Sequence, residues 1–274
     1  MHPILLRFEL GGTEVAVGAY STFMVLAWLA AVVVGTAMAA RLGIPARRAL
    51  FVYLAALLAA VAGGRVMHVL IVATASVDDG VRLWTPTFQG FSLYGALLLG
   101  PVTALLAARL TRVPLWRLGD SAVPALAVGI ALMRVGCFLR GCCYGLPTDA
   151  PWGVTFPAGS PAWAQQMVSG ATGILGGMMG EVLPVHPTQL YEMAAALALG
   201  ALGLWIVYRT SLPDGSAFLI CSALFTVFRF ADSFLRPTGA NAAVTAVFYP
   251  LLYAGIVVLL AVLLAMRLRA RPRA

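Results

Sequence analysis

Val244–Met266 reads VTAVFYPLLYAGIVVLLAVLLAM, 23 residues without one charge. As a helix rising 1.5 Å per residue it is about 35 Å long, and a bilayer's hydrocarbon core is roughly 30 Å thick. Six more apolar runs of comparable length precede it: Tyr20–Ala40, Leu50–Val72, Phe91–Leu110, Ala122–Leu139, Gln189–Tyr208 and Ala217–Leu235. Composition agrees with that reading. Hydrophobic residues fill 61% of the 274 positions, charged residues only 10%, and the mean hydropathy is +0.94. A soluble domain carries about 25% charged residues, so this chain has too few to cover a water-facing surface. The expected fold is an all-α polytopic membrane protein of about seven transmembrane helices, forming one domain over residues 1–274.

The net charge of +8 raises the question of nucleic acid, and the placement of the charge answers it. Every basic residue is an arginine, and most stand at the ends of apolar runs. One set of connections holds Arg41, Arg47, Arg48, Arg109, Arg112, Arg117, Arg209, Arg267, Arg269, Arg271 and Arg273; the opposite set holds only Arg7, Arg82, Arg140 and Arg236. Cytoplasmic loops carry the excess of Lys and Arg. That rule places the C-terminus in the cytoplasm and, with seven spans, the N-terminus outside. Glu9 and Glu14 in the first stretch, with no A-x-A-like site, argue against a cleaved signal peptide. The longest connection, 140–187, then lies outside. Pro147, Pro151, Pro157 and Pro161 make it irregular, with a short amphipathic piece expected near Ala162–Val168. Trp152 and Trp163 within it suit a membrane interface.

Ionisable residues inside apolar runs are costly and mark candidate functional sites. Arg65 and His68 sit in the second run, Arg134 in the fourth, Glu192 in the fifth, and Arg229 and Asp232 in the sixth, with Arg236 just beyond. Arg134, Arg229 and Arg236 all fall in the external halves of their helices. A guanidinium cannot shed its proton, and its planar fork suits phosphate. The group therefore reads as an anion site; pairing with Glu192 and Asp232, or snorkelling to the interface, is the competing reading. The run MRVGCFLRGCCYG at Met133–Gly145 adds a thiol cluster, Cys137, Cys142 and Cys143. Three readings stay open for it: a metal with His186 as fourth ligand, a disulfide on the oxidising side, or small buried thiols at a helix end.

These residues resemble one family. Arg134 through Gly145 is similar to the signature of bacterial prolipoprotein diacylglyceryl transferases. The stretch Pro147–Pro157 follows it as the family's loop does. His186-Pro187-Thr188-Gln189-Leu190-Tyr191-Glu192 resembles the element opening the fifth helix, Gly63-Gly64-Arg65 the second-helix arginine motif, and Arg229 with Arg236-Pro237 the sixth-helix arginine pair. The resemblance implies transfer of a diacylglyceryl group from phosphatidylglycerol to the lipobox cysteine of a prolipoprotein, with glycerol-1-phosphate released, in a bacterial cytoplasmic (inner) membrane. It implies no metal and no organic cofactor. It makes Arg134 and Arg229 catalytic and phosphate-binding, with Tyr20, Arg65, Arg236, Gly136 and Gly141 lining the substrate.

The chain departs from the family pattern where protons are handled. The third-helix histidine place holds Tyr94, within Ser92-Leu93-Tyr94-Gly95-Ala96; the usual asparagine and glutamate places of the signature hold Cys137 and Cys142; and a usual tyrosine is Phe225. A phenol with a pKa near ~10 is a poor base at neutral pH unless arginines lower it. Tyr94 is thus read either as base or as hydrogen-bond donor to phosphate, and His186 is the other proton acceptor. Two functional alternatives remain beside the lipoprotein reading: a related phospholipid-dependent transferase with another acceptor, and a non-enzymatic lipid-binding protein.

Overall fold

The structure, a computed structural model, describes residues 4–10, 13–75, 92–170, 182–237 and 249–269. Arg82, Arg271, Arg273 and the first residues of the last apolar run, 244–248, lie outside the described residues. Eight helices are seen among them: α1 Ala19–Arg41, α2 Ala46–Ala75, α3 Leu93–Leu110, α4 Leu115–Arg140, α5 Pro161–Ser169, α6 Thr188–Arg209, α7 Ser216–Ser233 and α8 Tyr249–Arg269. All but α5 come from the apolar runs of the sequence. Six are long and apolar enough to cross a membrane; α3, whose apolar stretch is Tyr94–Leu110, is the shorter seventh. Helix α4 begins seven residues earlier than the apolar run it contains, because its first two turns are amphipathic and Pro124 is accommodated inside it. The protein is therefore an all-α, multi-pass membrane protein.

The chain enters α1 through a hairpin that the apolar runs do not announce. Strands β1 (Ile4–Leu10) and β2 (Thr13–Gly18) pair antiparallel, with Phe8 opposite Val15 and Leu6 opposite Val17. Its sequence signal is local: two alternating runs flank Gly11-Gly12, a pair favoured in two-residue hairpins.

Helix α4 is the centre of the bundle. It packs on α1, α6 and α7, while α2 and α3 pack together beyond α1, and α8 packs on α7. Small residues set the close approaches, as expected where lipid removes the hydrophobic drive between helices. A Cβ on Gly63 would sit 2.9 Å from the Leu99 Cβ, and one on Gly136 would sit 2.8 Å from the Phe23 Cβ. The first lets α2 meet α3; the second lets α1 lie against the signature end of α4.

The two ends of the bundle are built differently. At the arginine-rich end the connections are tight turns. Gly43 and Arg112 adopt positive φ, and Ile44 and Val113 send their N–H groups back to Ala39 and Ala108. Ile44, Val52, Val113 and Leu118 close a compact core there. At the opposite end the long connection has its own small core of Tyr144, Phe156, Ala162 and Val185, and Val154 pairs with Val185 as a short β-bridge. The expected short helix is α5. Ser160 caps it by accepting the Trp163 N–H at 3.2 Å, Pro161 opens it, and Gly170 ends it with φ +68°.

Candidate active site

The signature run folds back on itself. Helix α4 ends at Arg140, and Gly141 takes φ +75°, so that its N–H and that of Cys142 return to the Cys137 carbonyl at 3.0 and 3.1 Å. This is a glycine-terminated helix end, and only glycine fits it without strain; a Cβ there would also meet the Phe156 ring at 2.9 Å. The chain beyond is fastened on two sides. Thr188 donates to the Cys143 carbonyl and Gln189 to the Cys142 carbonyl, both at 2.8 Å, so α6 opens against it. The Gly145 N–H reaches the His186 carbonyl and the Leu146 N–H the Leu235 carbonyl, tying in the end of α7. Three segments distant in sequence meet here.

Glu192, on the first turns of α6 and 1% exposed, is the hub of the charges. Its Oε2 takes Arg134 Nη2; its Oε1 takes Arg236 Nη2 and, at 2.5 Å, Arg229 Nη1. Asp232, 3% exposed, binds the same two α7-side arginines, at 2.6 Å to Arg229 and 2.8 Å to Arg236. The arginines thus pair with the two carboxylates, the reading that competes with an anion site. Pairing does not neutralise the group. Three guanidinium charges face two carboxylates, so one positive charge is left over. Arg134 Nε is buried with no hydrogen-bond partner among the described residues, and Arg229 keeps 29% of its side chain exposed. The cage is built to hold positive charge in a place from which water is largely excluded, where it acts strongly on an anion.

One turn deeper the surroundings become apolar. A cavity of about 190 Å³ lies between α4, α6 and α7, lined among others by Ile130, Ala196, Leu199, Phe218 and Phe225. Ile130 precedes Arg134 by four residues, Phe225 precedes Arg229 by four, and Ala196 follows Glu192 by four. Residues four apart share a helix face, so the cavity lies on the same helix faces as the cage, one turn toward the middle of the bundle.

The three thiols adjoin the same corner. Cys137, Cys142 and Cys143 hold their sulfurs within 4.8 Å of one another and form no disulfide. Arg134 Nη1 lies 3.8 Å from the Cys137 sulfur. Hydrogen bonds from the Cys137 and Cys142 thiols, with Arg134 and Arg236 nearby, pull the Cys143 thiol well below its ordinary pKa; the same bonds push Cys142 up. Cys143 sits at φ +63°, a left-handed conformation that costs a non-glycine residue roughly 1–2 kcal/mol. Tyr20, on the first turn of α1, carries Arg140 over its ring at 5.2 Å and lies within electrostatic reach of all three thiols. Tyr20, Gly136 and Gly141 therefore belong to this corner.

The other expected site residues stand apart from the cage. His186 is not part of the thiol group. Its Nδ1 is 3.2 Å from the Tyr191 hydroxyl, which accepts the Trp152 indole N–H at 2.7 Å. Indole only donates, so the Tyr191 hydroxyl accepts from Trp152 and links it to the imidazole. Tyr94 meets no arginine of the cage. It is half exposed, and its hydroxyl lies 2.5 Å from that of Tyr249 on α8, so the nearby guanidinium charge expected to lower its pKa is a second phenol instead. Arg65 stands on α2 at the close approach to α3, where the Ser92 N–H bonds the Gly64 carbonyl, and it is not among the ion pairs of Glu192 or Asp232.

A family model for prolipoprotein diacylglyceryl transferase matches residues 6–269. The chain belongs to that family. Among its relatives, a phosphatidylglycerol–prolipoprotein diacylglyceryl transferase of Rhodopirellula baltica is 34% identical over 57% of this chain and 33% of its own length. A second, from Clostridium perfringens, is 28% identical over 64% of the chain and 61% of its own length. The Clostridium tetani protein of that name is 27% identical over 86% of each. The chain thus spans less than two thirds of the first two relatives.

Within this family member, reasoning from sequence missed two kinds of residue. Tyr191 and Gln189 were quoted only as part of a motif, yet one orients His186 and the other holds the Cys142 carbonyl. Asp120, in α4 at the arginine-rich end, was not singled out. It is 1% exposed and accepts the N–H groups of Gly215 and Phe218 at 2.8 and 3.1 Å, capping α7 from a neighbouring helix. A lone acid in an otherwise apolar stretch, LGDSAVPALA, was the available signal.

Proposed function

We propose that this protein moves a diacylglyceryl group from phosphatidylglycerol to the lipobox cysteine of a prolipoprotein and releases glycerol-1-phosphate. The observation that carries the reading is the cage with one surplus positive charge, with an apolar cavity one helical turn away on the same three helices. A phospholipid has that order of parts: an anionic phosphate above acyl chain. In the reaction the acceptor thiolate forms a C–S bond to the glyceryl carbon while the C–O bond to phosphate breaks, and the electron pair stays on the phosphate oxygen. Negative charge grows at the phosphate, where Arg134, Arg229 and Arg236 are already fixed by Glu192 and Asp232. Prepositioned donors of this kind contribute on the order of 10²–10³ in rate each.

The thiol proton needs an acceptor, since the thiolate is the nucleophile. Of the two groups considered, His186 is the better placed, on the segment that opens α6 four residues before Leu190 and close in the chain to Glu192. The Tyr191 hydroxyl, 3.2 Å from Nδ1 and held by the Trp152 indole, orients the imidazole for that role. Tyr20, Gly136 and Gly141 shape the entrance. By the distribution of arginines the N-terminus is outside and the arginine-rich end cytoplasmic; membership of the family implies the bacterial inner membrane.

Membranes containing the protein, given labelled phosphatidylglycerol and a lipobox peptide, test this directly. Label on the peptide cysteine is the expected result. Phosphatidylglycerol turnover with an unlabelled peptide would replace the acceptor, the second reading, which the cysteines at the signature's usual asparagine and glutamate places favour. Absence of turnover would leave a lipid-binding protein.

A further inference from the structure

The three cysteines of the signature corner are not used by the proposed transfer. The reaction needs a thiol on the acceptor, and a thioether formed on the enzyme's own cysteine would not be a leaving group. Yet their arrangement is costly: Cys143 accepts a left-handed backbone conformation, and three sulfurs crowd one corner within 4.8 Å. Simple packing of small apolar side chains requires neither.

We propose that Cys137, Cys142 and Cys143 form a three-thiolate site for a soft monovalent metal ion, Cu(I). Thiolate sets select Cu(I), zinc or iron–sulfur clusters among the biological metals. With metal–sulfur bonds of about 2.3 Å, three sulfurs around one ion are about 4 Å apart, so the observed spacing needs an adjustment of under ~1 Å. The ligand count separates the candidates. Structural zinc takes four protein ligands, and the fourth ligand the sequence offered, His186, is engaged with Tyr191 and is not in the group. Cu(I) is satisfied by three sulfurs. The charge also fits. Three thiolates with Cu(I) carry two negative charges, and they lie against Arg134, whose Nη1 is 3.8 Å from the Cys137 sulfur, in a cage with one positive charge to spare. The helix end supplies the geometry: the turn through Gly141 brings Cys142 back to the Cys137 carbonyl, with its sulfur 3.7 Å from that oxygen, and Cys143 follows at positive φ. Binding releases the thiol protons to solvent and involves no change of oxidation state.

The test uses the full chain, purified in detergent, reduced and kept anaerobic, with Cu(I) buffered by bicinchoninate. One Cu(I) per chain is expected, with an X-ray absorption shell of sulfur alone. The Cys137/Cys142/Cys143→Ser triple variant loses that ion, and Cys221→Ser keeps it. Should the triple variant fail to fold, the unaltered protein still decides: bound Cu(I) shields three cysteines from iodoacetamide in peptide mass spectra. Uptake no greater than that of the triple variant, a site that prefers Zn(II) over Cu(I), or three cysteines alkylated equally with and without Cu(I), overturns the proposal. None of these readouts depends on lipid transfer, so the metal site and the transferase reading stand or fall separately.

Discussion

Asp120 and Glu192 are equally buried acids at opposite ends of the same three helices, α4, α6 and α7, and they are satisfied by different partners. Asp120 accepts two backbone N–H groups at the start of α7. Backbone donors and the positive end of a helix hold its negative charge there. Glu192 is met by three guanidinium groups, and with Asp232 beside it the count still favours the arginines. A bundle that needed only to fix the end of α6 had the economical solution available, since it uses it at the other end. The surplus of charge at Glu192 is what the proposed phosphate site rests on.

Breaking the hub should give the largest effect. Removing one partner from a buried charge group costs about 3–5 kcal/mol, because the others are left uncompensated. Glu192→Gln is therefore expected both to lower the thermal unfolding temperature in detergent sharply and to abolish transfer. A Glu192→Gln protein of ordinary stability and rate would mean that the cage is dispensable. Next come the arginines. Arg134→Ala and Arg229→Ala are expected to cut transfer by roughly 10²–10³ each while inserting into membranes normally. Lysine at either place should restore little, because an ammonium has no planar fork to offer a phosphate. Near-normal turnover in both alanine variants would remove the anion site from the comparison and leave Glu192 as structural as Asp120.

Asp120→Ala tests the other side of the contrast. Losing a capping acid costs about 0.5–2 kcal/mol, and the effect should fall on stability alone. Transfer per folded molecule should stay unchanged. If that variant lowers turnover at constant folded yield, the arginine-rich end is coupled to the site, and the separation drawn between the two acids fails.

How far this contrast was legible in the sequence depends on the residue. The seven apolar runs and the convergence of Arg134, Arg229 and Arg236 were legible, because hydropathy and intramembrane charge are local properties of the chain. The hub was half legible: Glu192 and Asp232 stood out as buried acids, but positions 134, 192 and 229–236 are joined only by the packing of α4, α6 and α7. Asp120 was overlooked because its partners are backbone groups of a helix that starts about a hundred residues later. The hairpin at Ile4–Gly18 was passed over although Gly11-Gly12 signalled it. The thiol corner could have been foreseen from Gly141, since a glycine-terminated helix end returns the residues after it toward the last turn. Tyr94 was the least readable. By resemblance its place in the chain is that of the family's third-helix histidine, yet its direction is set by Gly63 and Gly95 drawing α3 onto α2, and by Tyr249 on α8.

Tyr94 accordingly gives the smallest expected effect. Its hydroxyl joins the outer helices α3 and α8 through that of Tyr249 at 2.5 Å, half exposed. A hydrogen bond in such a position contributes about 1 kcal/mol or less. Tyr94→Phe keeps the ring and deletes only that bond, so transfer should remain within about twofold, since a change of that size in free energy shifts populations rather than chemistry. Tyr249→Phe breaks the same link from the other side. A loss of two orders of magnitude in Tyr94→Phe alone would place the phenol in contact with the reacting groups, with Tyr249 as its orienting partner. A small loss in Tyr94→Phe leaves proton transfer to the His186 side of the site, where Tyr191 and Trp152 already fix the imidazole.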